Sequence, residues 1–175
     1  MKKKIQQIKL VLFDVDGVFC SGDISYLDDG RELKTFDVQD GLGITMARLA
    51  GLQTGILTGR KSKAIERRAE ELKVDILSQG SFNKLGPYLK IKEQFSLEDH
   101  EICYIGDDLL DLPILERVGF SVAVINARDE VKAVCDYVTI AKGGRGAVRE
   151  VIDLILKRQN KFDALIKSLP GIEEP

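Results

Sequence analysis

The chain has 175 residues and a formal net charge of −2 at pH 7, so we expect one domain and no general attraction to nucleic acid. Its apolar fraction of 44% is ordinary for a globular protein, and no apolar run approaches the roughly 20 residues that span a bilayer. The three widely spaced cysteines are typical of reduced thiols, and the basic start leads into a short strand rather than a signal peptide. These features predict a cytoplasmic protein that does not associate with a membrane.

Short apolar runs alternate with segments of helical periodicity along the chain. Strands are predicted at Leu10–Phe13, Thr54–Leu57, Asp75–Leu77, Ile102–Ile105, Val122–Val124 and Tyr137–Thr139. Helices are predicted at Gly43–Ala50, Ser62–Leu72, Leu85–Gln94, Asp111–Val118, Asp129–Val134 and Gly146–Lys157. This alternation predicts an α/β fold, in which a doubly wound parallel sheet is covered on both faces by helices.

Two segments depart from the alternation. The residues on either side of Asp28-Asp29-Gly30-Arg31 predict a small β-hairpin, inserted at about residues 23–36. The end of the chain mixes charged residues with proline and glycine, so we predict one domain over residues 1–158 and a C-terminal tail over residues 159–175. The apolar tail residues that could dock a helical turn are Phe162, Leu165, Ile166 and Leu169.

Acidic residues follow directly after two of the predicted strands. The first strand ends in Asp14-Val15-Asp16-Gly17-Val18, and the fourth ends in Gly106-Asp107-Asp108-Leu109-Leu110-Asp111. Carboxylates that converge at one rim of a sheet need a reason to do so, and Mg²⁺ supplies one because it prefers hard oxygen ligands. Thr58, after the second strand, and Lys84 would complete a phosphoryl-transfer site at this rim.

These residues can divide the work of phosphate ester hydrolysis. Asp14 would attack phosphorus and form an aspartyl phosphate, while Asp16 would protonate the leaving alcohol and later activate water. Mg²⁺ held between Asp14 and Asp107 would cancel the repulsion between a carboxylate and a phosphate dianion. Thr58 and Lys84 would bind the phosphoryl oxygens.

Two further acids are predicted to act on the site through other groups. Asp108 and Asp111 would orient Mg²⁺-bound waters or the ammonium of Lys84. A backbone carbonyl of Asp16 as a Mg²⁺ ligand would leave the Asp16 side chain free for proton transfer.

These motifs, in this order, resemble the four motifs of the haloacid dehalogenase superfamily. They are Asp14-x-Asp16, Thr58, Lys84 and Gly106-Asp107-Asp108-x-x-Asp111. Within the superfamily the chain resembles the family of 3-deoxy-D-manno-octulosonate 8-phosphate (KDO 8-phosphate) phosphatases over nearly its whole length. The more specific matches are Asp14–Val18, Asp37-Val38-Gln39-Asp40-Gly41, Thr58-Gly59-Arg60 and Gly143–Glu150.

The resemblance implies a Rossmann-like fold and Mg²⁺-dependent hydrolysis of KDO 8-phosphate in the synthesis of lipopolysaccharide precursors. It implies that Asp14, the Asp16 carbonyl and Asp107 bind Mg²⁺, with Asp14 as nucleophile and Asp16 as acid and base. It also places a larger set of residues around the sugar phosphate: Asp16, Asp37, Val38, Gln39, Asp40, Gly41, Thr45, Arg60, Arg68 and Lys84.

The predicted hairpin also bears on assembly. Many relatives carry a separate cap domain between the first and second motifs, but here that interval holds only the hairpin, one helix and one strand. A site without a cap would be open in a monomer and would exclude water poorly. Either the substrate is macromolecular or neighbouring subunits close the site, and the resemblance implies closure within a homotetramer whose hairpins assemble together. The apolar hairpin residues that such packing would bury are Ile24, Tyr26, Leu33 and Phe36.

Three alternatives remain open at this point. A phosphatase for a nine-carbon keto-sugar phosphate, of the sialic acid or KDN type, tends to carry Glu at the position of Arg60 and Lys at the position of Glu71, the opposite charges. A signalling receiver domain also combines Asp, Thr and Lys on a doubly wound sheet, but its acceptor Asp follows a middle strand. A catalytically idle oligomerisation module would not need the predicted catalytic residues.

Overall fold

A six-stranded parallel sheet forms the centre of the computed structural model, which describes residues 5–168. Its strands are β1 (Leu10–Phe13), β4 (Gln53–Thr58), β5 (Ile76–Gln79), β6 (Ile102–Gly106), β7 (Phe120–Ala123) and β8 (Tyr137–Val138). They lie in the order β5-β4-β1-β6-β7-β8. The chain adds β4 and β5 on one side of β1 and then crosses to the other side. The predicted doubly wound sheet is therefore confirmed.

Helices connect the strands in the pattern expected for right-handed crossovers, which places them on both faces of the sheet. They are α1 (Val38–Leu49), α2 (Lys63–Glu71), α3 (Leu85–Phe95), α4 (Leu112–Leu115), α5 (Asp129–Val134), α6 (Ala147–Arg158) and α7 (Phe162–Ser168). Helices α1 and α6 pack against each other. Within the described part of the chain, none of these helices has the length and apolar character needed to cross a membrane.

Two helices differ from the prediction by more than one residue at a boundary. Helix α1 begins at Val38, ahead of the predicted Gly43, because Asp37 caps it by accepting a hydrogen bond from the Gln39 backbone N–H at 2.7 Å. Helix α4 ends at Leu115, and the residues before it, Leu109–Asp111, form a 3₁₀ turn.

Strand β1 sets the position of the rim. All four of its residues are buried, as is typical of a parallel strand covered on both faces. Phe13 lies beside Ile56 of β4 and Ile105 of β6. The residue that follows β1, Asp14, is still tied to the sheet because its N–H donates to the Ile105 carbonyl at 3.0 Å. Residues at the carboxyl ends of β1, β4 and β6 therefore meet at one edge.

The predicted hairpin is confirmed. Strands β2 (Ser25–Tyr26) and β3 (Glu32–Leu33) pair in antiparallel fashion. Tyr26 is 64% exposed and Leu33 is 51% exposed. Phe36 lies after the two strands, and its ring packs on Phe19 with 5.2 Å between centroids, so it is partly buried against the core of its own chain.

Part of the predicted C-terminal tail is a docked helix. Leu165 of α7 is buried, and the Lys161 ammonium donates to the Ala50 carbonyl at 2.9 Å. Leu169 lies outside the described residues, as do the rest of residues 169–175 and residues 1–4. The division into a domain over residues 1–158 and a tail stays a prediction.

Candidate active site

The loop after β1 presents Asp14 and is held by distant backbone. Gly17 has a φ of +89°, and a Cβ there would lie 2.0 Å from Asp107 Oδ2, so only glycine lets Asp107 approach. A Cβ at Gly143 would lie 1.7 Å from the Gly17 carbonyl oxygen. The Asn126 amide joins the two segments: it donates to the Gly17 carbonyl at 2.9 Å and accepts from the Gly143 N–H at 2.7 Å. Sequence reasoning missed Asn126.

The Lys84 ammonium lies at the centre of the rim. Its side chain is 3% exposed, and its Nζ is 2.8 Å from Asp14 Oδ2 and 2.6 Å from Asp111 Oδ1. Burial alone would lower the pKa of Lys84, but the charges of Asp14 and Asp111 raise it above its ordinary value. Lys84 is therefore a charged residue that fixes the position of the Asp14 carboxylate.

Both oxygens of Asp111 are occupied by donors. Oδ1 accepts from Lys84 and, at 2.6 Å, from the Tyr104 hydroxyl. Oδ2 accepts from the N–H groups of Asp107 at 3.0 Å and Asp108 at 3.2 Å. Asp111 therefore positions Lys84 and shapes the turn after β6. The Asp108 carboxylate instead caps that turn through the Leu109 N–H at 2.7 Å.

Asp14 and Asp107 each keep one buried oxygen, Oδ1, without a hydrogen-bond partner. Burial raises the pKa of Asp14 to about 6, although Lys84 opposes this shift. Burial and then the Asp14 charge raise the pKa of Asp107 to about 8. One carboxylate oxygen each from Asp14, Asp107 and Asp111 lie within 4.8 Å of one another. Since Asp111 is occupied by donors, the free oxygens of the other two residues fit a hard divalent cation.

A second cluster of charges lies around Asp16. Its Oδ1 is 2.5 Å from Lys34 Nζ, and its Oδ2 is 3.7 Å from Arg60 Nε. Glu32 Oε1 is 2.7 Å from Arg60 Nη2 and 3.5 Å from Lys34 Nζ. The structure thus brings Asp16 and Arg60 together. The resemblance places both residues around the substrate. Lys34 and Glu32 were missed, because ion pairs between distant segments leave no local pattern.

Thr58 lies at the same edge of the sheet as Asp14. It ends β4 beside β1 and is buried, and its Oγ1 accepts a hydrogen bond from the Arg60 N–H at 3.4 Å.

The remaining residues predicted around the sugar phosphate lie on α1 and α2: Asp37, Val38, Gln39, Asp40, Gly41, Thr45 and Arg68. Arg68 lies over the Phe36 ring at 5.8 Å and lines a cavity of about 340 Å³ with Val38 and Glu71. Among residues 5–168, no hydrogen bond or ion pair joins this group to Asp14 or Asp107. Their role around the substrate stays a prediction.

Asp40 has a structural contact in this group. Its buried carboxylate accepts from the backbone N–H groups of Gly146 at 3.2 Å and Arg149 at 2.8 Å, which ties α1 to the start of α6. Burial raises the pKa of Asp40 to about 6 even though these bonds oppose the shift.

Comparison with known proteins supplies the family. A model of haloacid dehalogenase-like hydrolases matches residues 74–152. The 3-deoxy-D-manno-octulosonate 8-phosphate phosphatase KdsC of Escherichia coli K12 is 44% identical over 91% of this chain and 85% of its own length. The enzyme of the same name from Yersinia pestis is 42% identical over 92% of this chain and 86% of its own. The chain belongs to the family of 3-deoxy-D-manno-octulosonate 8-phosphate phosphatases.

Solved structures of the family agree with the fold. The phosphatase from Moraxella catarrhalis, in complex with a magnesium ion, a phosphate ion and KDO, matches with a TM-score of 0.93 and 43% identity, covering 95% of this chain and 96% of its own. A cobalt-bound family structure from Haemophilus influenzae has a TM-score of 0.88 and 38% identity, covering 92% and 94%. The predicted resemblance is confirmed, and the chain is a phosphatase rather than a receiver domain.

We expect the metal-free protein to lose stability as the pH rises from about 4 to about 8, because the buried Asp107 must then ionise. Its folded pKa of about 8 lies above its ordinary value of 3.8. Its stabilising contribution is therefore complete below pH 3.8 and is lost as the pH rises through about 8. Asp107→Asn should flatten this decline and unfold at a higher temperature than the native protein at a pH of about 8 in EDTA.

Addition of Mg²⁺ should reverse the order of the two proteins. A cation that binds only the folded state stabilises it, so Mg²⁺ should raise the unfolding temperature of the native protein far more than that of Asp107→Asn. Asp163→Asn is the matched control, because this carboxylate is exposed on α7. The contact of Lys161 with the Ala50 carbonyl places the start of α7 at the opposite edge of the sheet. It should keep the native response. Equal stabilisation of native protein and Asp107→Asn by Mg²⁺ would contradict the site.

Proposed function

We propose that this phosphatase hydrolyses 3-deoxy-D-manno-octulosonate 8-phosphate to KDO and inorganic phosphate in the cytoplasm, in the synthesis of lipopolysaccharide precursors. The single observation that carries the proposal is the pair of buried, unpartnered carboxylate oxygens of Asp14 and Asp107 beside Lys84. The identity of the substrate is supported by the names of the relatives that match nearly the whole chain.

The cofactor of the proposed reaction is Mg²⁺. Asp14 and Asp107 would hold it through their free oxygens, together with the backbone carbonyl of Asp16. When bound, Mg²⁺ would neutralise the charge of the substrate phosphate and orient it. The magnesium ion in the complex of the Moraxella catarrhalis phosphatase supports this choice.

The side chains then have separate roles in two steps. In the first, the Asp14 carboxylate attacks phosphorus, the bond from phosphorus to the sugar oxygen breaks, and Asp16 gives a proton to that oxygen. In the second, Asp16 takes a proton from water as the water oxygen attacks phosphorus. The bond from phosphorus to the Asp14 oxygen then breaks, which releases inorganic phosphate and regenerates the Asp14 carboxylate. Lys84 holds Asp14 in place throughout and, with Thr58, would stabilise the charge on the phosphoryl oxygens.

Asp14→Asn should abolish turnover, since it removes the nucleophile and with it the entire covalent step. We expect a loss of several orders of magnitude, larger than the roughly 10²–10⁴-fold expected for Asp16→Asn. EDTA should abolish turnover of the native enzyme, and Mg²⁺ should restore it. Phosphate release measures both effects.

The unfolding temperature of Asp14→Asn shows whether the fold is intact, and Asp163→Asn should keep full activity because Asp163 lies on α7, away from the rim. Near-normal phosphate release by folded Asp14→Asn would show that the nucleophile is another group.

Arg60 is proposed to select the carboxylate at the end of the sugar remote from the phosphate. A guanidinium can bind a carboxylate through two parallel hydrogen bonds, and Arg60 is 38% exposed on the loop after β4. Arg60→Ala should raise KM for KDO 8-phosphate far more than for p-nitrophenyl phosphate, which has no such carboxylate. Arg117→Ala is the control, because Arg117 contacts the Pro113 carbonyl on α4.

Equal increases in KM for both substrates would assign Arg60 to phosphate binding or to structure. No observation favours the nine-carbon alternative, which is expected to carry Glu in place of Arg60 and Lys in place of Glu71. Here Glu71 forms ion pairs with Arg67 at 3.0 Å and Arg68 at 3.3 Å, which a Lys could not form. A comparison of eight- and nine-carbon keto-acid sugar phosphates as substrates distinguishes the two.

We further propose that a homotetramer closes the site. The hairpin exposes Ile24, Tyr26 and Leu33, and the nearby Val38 is 80% exposed. A two-stranded ribbon is marginal in water by itself, so packing of several hairpins would bury this surface and cover strand edges. A neighbouring chain placed there would exclude water from the rim.

Tyr26→Glu and Leu33→Glu should dissociate the assembly because they place charges in its apolar contact. Sedimentation velocity should show a native tetramer and smaller species for the variants, with loss of sugar phosphate turnover in parallel. Leu89→Glu on α3 is the control, because Leu89 is 50% exposed and distant in sequence from the hairpin. A native monomer with full activity would refute the proposal.

A further inference from the structure

Lys34 is a buried cation that no motif of the sequence predicted. Its side chain is 2% exposed, and its Nζ lies 2.5 Å from Asp16 Oδ1. We propose that Lys34 is a positioning residue that holds the Asp16 carboxylate in the direction required for proton transfer. This inference rests on the proposed role of Asp16 as acid and base.

The contacts form a closed ring of four charges. Lys34 joins Asp16 to Glu32, Glu32 joins Lys34 to Arg60, and Arg60 returns to the second oxygen of Asp16. Within residues 5–168, Lys34 and Arg60 are the cations that pair with the Asp16 carboxylate. Both of its oxygens therefore have a cationic neighbour, one on each side.

The two cations differ in how firmly they hold Asp16. The Arg60 Nε lies 3.7 Å from Asp16 Oδ2, which is beyond hydrogen-bond distance, and its side chain is 38% exposed. Lys34 is within hydrogen-bond distance and nearly inaccessible to water. Lys34 is thus the group that fixes the Asp16 carboxylate, whereas the more exposed Arg60 is held by Glu32 at 2.7 Å.

Burial keeps the Lys34 ammonium on one side of the Asp16 carboxylate. A buried ammonium is costly unless it is paired, so Lys34 must stay on its two carboxylate partners. The Asp16 carboxylate is 23% exposed and lies on a loop, where rotation about its side-chain bonds would otherwise be easy. An acid that protonates a leaving group must lie within hydrogen-bond reach of it, and small misplacements reduce the rate strongly.

The location of Lys34 gives the hairpin a second role. Lys34 follows β3 directly, so the element proposed to form the subunit contact also carries the residue that positions Asp16. The placement of the hairpin is therefore linked to the chemistry at the rim of the same chain.

The test combines Lys34→Met, which keeps the length of the side chain and removes its charge, with Asp16→Asn. If Lys34 acts through Asp16, the double variant should be no slower than Asp16→Asn alone, because a lost acid cannot be misplaced further. Lys34→Met alone should lower kcat for an alkyl phosphate by roughly 10- to 100-fold, part of the effect of removing an acid or base. Its KM should change little.

A leaving group that needs no proton separates the two steps. With p-nitrophenyl phosphate the first step proceeds without an acid, and the second step still needs Asp16 to activate water. Lys34→Met should therefore show a burst of p-nitrophenol, stoichiometric with the enzyme, followed by slow turnover. A structural defect or loss of phosphate binding would slow the burst itself.

Lys92→Met is the matched control, because Lys92 forms a 2.7 Å ion pair with Asp99 ahead of β6, at the opposite edge of the sheet. It should keep native kinetics. Lys34→Arg keeps the charge, so it should recover part of the lost kcat and preserves the test if Lys34→Met does not fold. Sedimentation velocity should show the native oligomer for each variant.

Multiplicative losses in the double variant, or an equal loss of the burst and of steady-state turnover, would overturn the inference. The burst is measured with p-nitrophenyl phosphate, which is not a sugar phosphate, so an incorrect assignment of the sugar leaves this part of the test valid. Failure of Asp16→Asn to reduce turnover would instead refute the proposed role of Asp16, which is a distinct outcome.

Discussion

The candidate active site depends on one buried ammonium, that of Lys84, which lies between the carboxylates of Asp14 and Asp111. A buried ammonium requires compensating charge, and two carboxylates provide it, one directly after β1 and one in the turn that follows β6. The arrangement fixes Asp14, the proposed nucleophile, and joins the segments that follow β1 and β6 by contacts nearly closed to water. It also leaves three carboxyl groups against one ammonium at the inner rim, because Asp107 lies there as well. The proposed cation is the natural complement of that excess of carboxyl groups.

The two charge clusters at the rim differ in how completely they are satisfied. Around Asp16 the charges alternate between acid and base, and each carboxylate has a cationic partner. Around Asp14, burial and like charge raise the pKa of two carboxyls, and one oxygen of each has no partner. The inner cluster thus has the electrostatics of a binding site. The outer cluster has the electrostatics of a rigid frame that keeps Asp16, the proposed proton-transfer group, in place.

Local patterns predicted the sheet and the convergence of Asp14, Lys84 and Asp107 at its rim. The buried run of β1 ends directly at Asp14, so its apolar sequence both identifies the strand and places the acid. The sequence missed features that depend on contacts between distant segments. Lys34 and Asp16 are 18 residues apart, and Arg60 and Glu32 are 28 apart. The early start of α1 was missed for a different reason: Asp37 was interpreted only as a substrate contact, although Asp before such a segment is also a helix cap.

Asn126 has a consequence for the order of folding. It holds the Gly17 carbonyl from 109 residues downstream, and the Gly144 N–H donates to the Val18 carbonyl at 2.8 Å. The first residues of the site to leave the ribosome are therefore shaped by some of the last. Contacts so distant in sequence form late, and a nascent chain that ends before Asn126 lacks this support for the loop that carries Asp14. Catalytic competence should arise only when nearly the whole domain has been synthesised.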